Sequence, residues 1–154
     1  LDQEEIEDVR AAALLHDVGK LEVSREILYK AAKLTDEEYE EMKTHIDRGV
    51  SMLSPVGGSL RRVIPIVLSH HDRFDGSGES FRRAESIPLA ARIIAVADVF
   101  DAVTSDRPYR KAMSPYEAKE MIVKGKGTDF DPAVVDAFEA VFLKGGMEVP
   151  HIVV

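Results

Sequence analysis

The chain has 154 residues, 45% of them hydrophobic and 31% charged, and carries a formal net charge of −8. That length makes one domain with a sizeable core, and the acidic balance argues against a long nucleic-acid groove while leaving room for a small phosphorylated ligand. The absence of cysteine excludes disulfides, thiolate metal sites and a cysteine nucleophile. No apolar run reaches the ~18–20 residues of a membrane span, and the start does not read as a signal peptide. Leu1 opens in mid-helix character, so the chain is expected to be a piece of a longer protein, or an ordered part of one; the expected location is the cytoplasm.

Residues 2–15 read as a helix, acidic at its start and apolar at Ile6, Val9, Ala13 and Leu14. Gly19 is expected to turn the chain without a Cβ penalty, and Ser24 to cap a short helix holding Ile27 and Leu28. Thr35-Asp36-Glu37-Glu38 is a capping box opening a helix that carries Tyr39, Met42, His45, Ile46 and Gly49. Residues 60–71 form another apolar helix, ending at His70-His71, with Pro65 near its first turn or kinking it. Residues 72–80 are loop by composition. The longest apolar helix runs from Ser86-Ile87-Pro88 to about Ser105, with a core stripe of Leu89, Ile93, Val96, Ala97 and Phe100. Ser114-Pro115-Tyr116-Glu117 is a second capping box. Asp131-Pro132 starts a last helix with Val134, Val135, Phe138, Val141 and Phe142 on one stripe, closed by Gly145-Gly146 before a short extended tail. No strand alternation appears. The expected fold is all-α, about seven helices in a single domain over 1–154, with 144–154 as a C-terminal tail.

Chemistry concentrates at helix ends. His16-Asp17 closes the first helix, and Lys20 puts a cation within a few residues of the carboxylate. Neutral imidazole and ionised carboxylate are a common divalent-metal pair, although a His-Asp dipeptide alone is as well explained by hydrogen bonding. Further along, His45 lies within a helix and His70-His71 ends the next, while His151 falls in the tail and looks incidental. Ile94, Asp98 and Asp101 share a face of the long apolar helix at spacings of four and three. A cap or an arginine would satisfy either carboxylate separately. Four histidines and two aspartates beside apolar core point together to one metal site, or to two ions bridged by a carboxylate. Just beyond, Arg107, Arg110 and Lys111 place three cations in five residues of an acidic chain. They read as a phosphate grip, against the alternative of a solvated loop complementing a helix C-terminus.

Several motifs appear in one order: His16-Asp17-Val18-Gly19-Lys20, Lys43-Thr44-His45, His70-His71, Asp75-Gly76-Ser77-Gly78, Ala97 to Ala102, Ser105 to Lys111, and Gly127 to Pro132. In this order they resemble the HD-GYP domain, the branch of the HD phosphohydrolases that degrades cyclic di-GMP. The resemblance covers residues 9–142 and implies an HD-type helical bundle with two or three divalent ions, iron or manganese. It implies His16, Asp17, His45, His70, His71 and Asp98 as metal ligands, with Asp17 as the bridge. Lys20 is expected to face the scissile phosphate, and Asp17, Lys20 and Asp101 to serve catalysis. Arg107, Arg110 and Lys111 are expected to hold the ligand's phosphates. The implied reaction gives pGpG, with GMP as an open further product, and a GGDEF-type protein or an upstream regulatory domain is the implied partner. Glu79 and Ser80 stand where the family has Tyr and Pro, and Ser24 where it often has Pro. Further family ligands belong to a helix before Leu1, so the domain is expected to be N-terminally incomplete. Two alternatives stay open: a non-catalytic module binding metal, cyclic dinucleotide or protein, and an HD phosphohydrolase of another nucleotide.

Overall fold

A computed structural model describes residues 1–58, 60–78, 82–106 and 111–146. Among these the chain is all-α, as expected, with eight α-helices and one isolated bridge between Lys126 and Phe130. The helices are α1 (Gln3–Leu15), α2 (Arg25–Leu28), α3 (Asp36–Lys43), α4 (His45–Leu53), α5 (Leu60–Ser69), α6 (Leu89–Thr104), α7 (Pro115–Lys124) and α8 (Pro132–Leu143). Short 3-10 turns cover Val18–Glu22 and Ala84–Ser86.

The helix starts follow the local chemistry of the sequence. Asp2 with Glu5, Thr35 with Glu38 and Ser114 with Glu117 form reciprocal capping boxes. Ser24 Oγ accepts from the Ile27 N–H at 3.3 Å, and Asp131 Oδ1 from the Ala133 N–H at 2.7 Å. The expected helix through His45 differs: it breaks at Thr44, and His45 opens α4 instead of lying inside one long helix. Thr44 Oγ donates to the Glu41 carbonyl at 2.7 Å, satisfying an acceptor of the last turn of α3. Pro65 sits in the second turn of α5, inside the helix.

Two adjoining apolar clusters share α6 as their spine. Ala91 and Ile94 pack with Ala12, Leu53, Val63, Ile66, Val67 and Ile87. Val96, Phe100 and Val103 pack with Ala118, Ile122, Phe130, Val135 and Phe138. Because α6 has neighbours on both sides, its buried face differs from a single stripe. Ile94 is core, whereas Leu89 is 39% exposed and Ala97 is exposed. On α8, Val141 likewise leaves the expected stripe and faces solvent. Arg92 of α6 pairs with the buried Asp131 that caps α8 and donates to the Ile87 carbonyl at 3.0 Å, fixing the two clusters to one another.

Gly19 has a different role from the one expected. Its φ is not positive. A Cβ there would lie 1.9 Å from the His45 carbonyl oxygen and 2.5 Å from Gly49 N. Glycine is required because the 18–22 turn lies directly against the backbone of α4.

Candidate metal centre

The centre is built where helices stop. The last carbonyls of a helix lack intrahelical partners, and three imidazoles take them. Nδ1 of His16 lies 2.9 Å from the Ala13 carbonyl, Nδ1 of His45 2.6 Å from that of Met42, and Nδ1 of His70 2.6 Å from that of Val67. Each ring therefore donates through Nδ1–H and turns its Nε2 lone pair inward, the tautomer a metal ligand needs.

The Nε2 atoms of His16, His45 and His70 are buried without a hydrogen-bond partner, as is Oδ1 of Asp17. An unsatisfied buried polar atom costs on the order of 1–3 kcal/mol, and here four converge. One oxygen of Asp17 stands 3.5 Å from His16 Nε2 and the other 3.5 Å from His45 Nε2, so a single carboxylate spans both imidazoles. Asp98 approaches His16 Nε2 at 3.6 Å from α6. Two triads result, His45, His70, His71 and His16, Asp17, His70, each with its ligand atoms within 4.8 Å of one another and His70 in common. Nitrogen and carboxylate donors in this arrangement suit divalent first-row metals, and four orphaned lone pairs are what a bound cation would satisfy.

The field at His70 agrees with this geometry, while His16 sits between two carboxylates. Burial first, then His71, lowers the His70 pKa to about 3, which keeps its imidazole neutral. The neighbouring Asp98 raises the pKa of His16 against desolvation, with Asp17 adding to it, and His16 in turn holds Asp98 below the ordinary carboxylate range. Lys20 Nζ lies 2.5 Å from Asp17 Oδ2 and is partly exposed, which puts a cation at the rim of the cluster.

The structure thus brings together His16, Asp17, His45, His70, His71 and Asp98, with Lys20 beside them. It does not bring in Asp101, which is exposed on α6. Three residues on from Asp98, it is turned about 60° round the helix, where Phe100 and Val103 take the buried side. Lys111 is exposed as well. Arg107 and Arg110 lie outside the described residues, as do Glu79, Ser80 and the tail from 147. Sequence reasoning missed the pairing of Gly19 with Gly49 and the contacts of Ser69 and Asp72 with Arg82. Their only signal was proximity to the histidines.

The HD domain family matches residues 1–134. A cyclic di-GMP phosphodiesterase of Vibrio cholerae is 45% identical over 143 residues, covering 88% of this chain and 29% of that protein. The cyclic di-GMP phosphodiesterase response regulator RpfG of Xanthomonas campestris is 44% identical over 142 residues, 89% of this chain and 37% of its own length. A 3′3′-cGAMP-specific phosphodiesterase 2 of Vibrio cholerae is 36% identical over 138 residues, 88% of this chain and 26% of that protein. The chain spans less than two-fifths of the length of these curated relatives. The crystal structure of a cyclic GMP-AMP-specific phosphodiesterase from V. cholerae shares the fold, with a TM-score of 0.68 at 21% identity over 99% of this chain and 42% of that one. The chain belongs to the HD domain family, and its motifs and relatives fit the HD-GYP branch of it.

Proposed function

We propose that this chain is the hydrolytic domain of a metal-dependent cyclic dinucleotide phosphodiesterase, acting on cyclic di-GMP to give pGpG, with further cleavage to GMP left open. One observation carries the reading. Three buried imidazole nitrogens and one oxygen of a spanning carboxylate converge without partners, while the other oxygen of that carboxylate is held by a lysine. Bound ions would supply Lewis acidity toward a phosphate oxygen. Asp17 reaches from His16 to His45, His16, His45, His70 and His71 would provide the nitrogen donors, and Asp98 approaches from the His16 side. Lys20 then offers its ammonium to the charge that grows on the phosphate. Arg107, Arg110 and Lys111 are the proposed grip on the dinucleotide's remaining phosphate, and Asp101 is retained as a proposed contributor from the exposed face of α6.

The ions proposed are two, iron or manganese, with a third if an upstream helix adds ligands. The proposed setting is the cytoplasm, with a GGDEF-type protein or an attached regulatory domain as partner. Metal analysis of the full-length protein, paired with turnover of cyclic di-GMP and of 3′3′-cGAMP, tests this. Hydrolysis of cyclic di-GMP that is lost on chelation is expected. Preference for 3′3′-cGAMP would reassign the substrate. A fully metal-loaded protein that binds cyclic di-GMP without cleaving it would favour the non-catalytic module, the reading that Glu79 and Ser80 at the signature positions support.

A further inference from the structure

His70 and His71 occupy the middle of a tight turn, closed by the Asp72 N–H donating to the Ser69 carbonyl at 3.0 Å. Their rings are neighbours, with centroids 3.9 Å apart. They are not held alike. The His70 ring is fixed by the Val67 carbonyl, whereas no hydrogen bond fixes the ring of His71 among the described residues. The position of His71 therefore depends on the backbone turn that carries it.

That turn is gripped from outside. Nη1 of Arg82 donates to Ser69 Oγ at 2.8 Å and stands 3.7 Å from Asp72 Oδ2. Ser69 is 2% exposed, and the Asp72 side chain is 9% exposed. One guanidinium nitrogen thus hydrogen-bonds the residue before the histidine pair and faces the carboxylate of the residue after it at ion-pair distance. Arg82 lies at the returning end of the loop that begins at Asp72, and the base of that loop is closed by the Ala84 N–H on the Phe74 carbonyl at 2.8 Å. Both contacts come from Nη1, whose direction is fixed by the plane of the guanidinium, a constraint that the freely rotating ammonium of a lysine lacks.

Resting on the metal-centre reading, we propose that Arg82 is a positioning residue. It clasps the Ser69–Asp72 turn and so sets where His71 meets an ion shared with His45 and His70. Its described contacts, to Ser69 and Asp72, are to neighbours of the ligands.

The test is calorimetric titration of Mn2+ into the metal-stripped full-length protein, with the visible spectrum of bound Co2+ as a report on ligand geometry. Arg82→Ala is expected to weaken ion binding about 10- to 100-fold, the usual effect of removing an outer-shell partner, and to alter the Co2+ spectrum. Thermal unfolding of the metal-free protein should stay near wild type. Ser69→Ala should act in the same direction, the double variant should be no worse than Arg82→Ala alone, and Arg82→Lys should restore only part of the affinity. Wild-type affinity and spectrum in Arg82→Ala would overturn the clasp. So would a loss matched by a fall in metal-free stability, which makes Arg82 a structural prop. Wild-type protein that takes up no Mn2+ or Co2+ would overturn the metal centre and the clasp with it.

Discussion

Replacing Gly19 with alanine tests whether the turn carrying Asp17 and Lys20 is seated on α4 as tightly as the structure has it. The new Cβ would meet the His45 carbonyl oxygen at 1.9 Å, Gly49 N at 2.5 Å and the His45 carbonyl carbon at 2.8 Å. All three atoms are backbone, so no side chain can rotate away. Ordinary contact begins at 3.4 Å, so turn and helix must part by about 1.5 Å. Overpacking of this kind costs ~1–3 kcal/mol, or roughly 2–12 °C in Tm for a domain of this size. The larger effect falls on the site, because the same separation carries Asp17 away from His45, now 3.5 Å apart. Ion affinity should therefore fall at least as far as for loss of an outer-shell partner, about 10- to 100-fold. Gly49→Ala is the control from the other side of the contact. Its Cβ would meet Gly19 N at 3.4 Å, an ordinary approach, and the gain in helix propensity of ~1 kcal/mol offsets the crowding. Thermal melts followed by circular dichroism and Mn2+ titration of both variants decide the matter. Equal behaviour of the two variants, or wild-type affinity in Gly19→Ala, would refute the reasoning.

Asp17→Ala should abolish stoichiometric metal, because one carboxylate faces both His16 and His45; full metal content in the purified variant would sink the bridging role. In the metal-free chain, the folded-state pKa of His70 of about 3 lies below its unfolded value near 6.5. The unfolded chain then binds the extra proton between those limits, so stability falls as pH drops through that window, by at most ~1.4 kcal/mol per unit. Urea melts of wild type and His70→Gln should show the flatter pH profile in the variant, and identical slopes would remove His70 from the account. Arg92→Ala leaves Asp131 buried and unpaired and should cost about 3–5 kcal/mol, with a change under 1 kcal/mol as the contrary result. Alanine at Arg107 or Arg110 should weaken cyclic di-GMP binding by ~1.5–3 kcal/mol with metal content unchanged; unaltered affinity by calorimetry would return them to a solvated loop.

Local chemistry was legible in the sequence, and tertiary approach was not. Capping boxes at Thr35 and Ser114 act within four residues, so composition alone places them. Histidines at the ends of apolar runs were visible for the same reason: once Leu15 and Ser69 close their helices, His16 and His70 are left at the exit. The break at Thr44 left no such mark, since Thr44 keeps helical dihedrals and neither Gly nor Pro stands there. Leu89 and Ala97 were assigned to the core because a single stripe presumes a single neighbour, while α6 packs against both clusters. Asp101 was grouped with Asp98 by spacing, yet spacing says nothing of which side a neighbouring helix covers. Gly19 was legible as a required glycine and not as a contact, because the atoms that demand it belong to residues 45 and 49.

The arrangement of the histidines explains why the fold stops its helices where it does. Each anchored imidazole binds the carbonyl three residues back: Ala13 for His16, Met42 for His45 and Val67 for His70. In a continuing α-helix that carbonyl would accept from the N–H four residues on, which is the residue just after the histidine. A helix extended past any of these positions would therefore claim the acceptor that sets the ring's tautomer. Ending α1 at Leu15, α3 at Lys43 and α5 at Ser69 leaves all three acceptors to the imidazoles. Helix termination and ligand orientation are thus one structural event, made three times. The sharp stops also account for Thr44, whose hydroxyl takes the adjacent Glu41 carbonyl and ends α3 one residue before His45. A site assembled this way has its nitrogen donors aimed before any ion arrives, because the backbone that ends each helix also holds each ring.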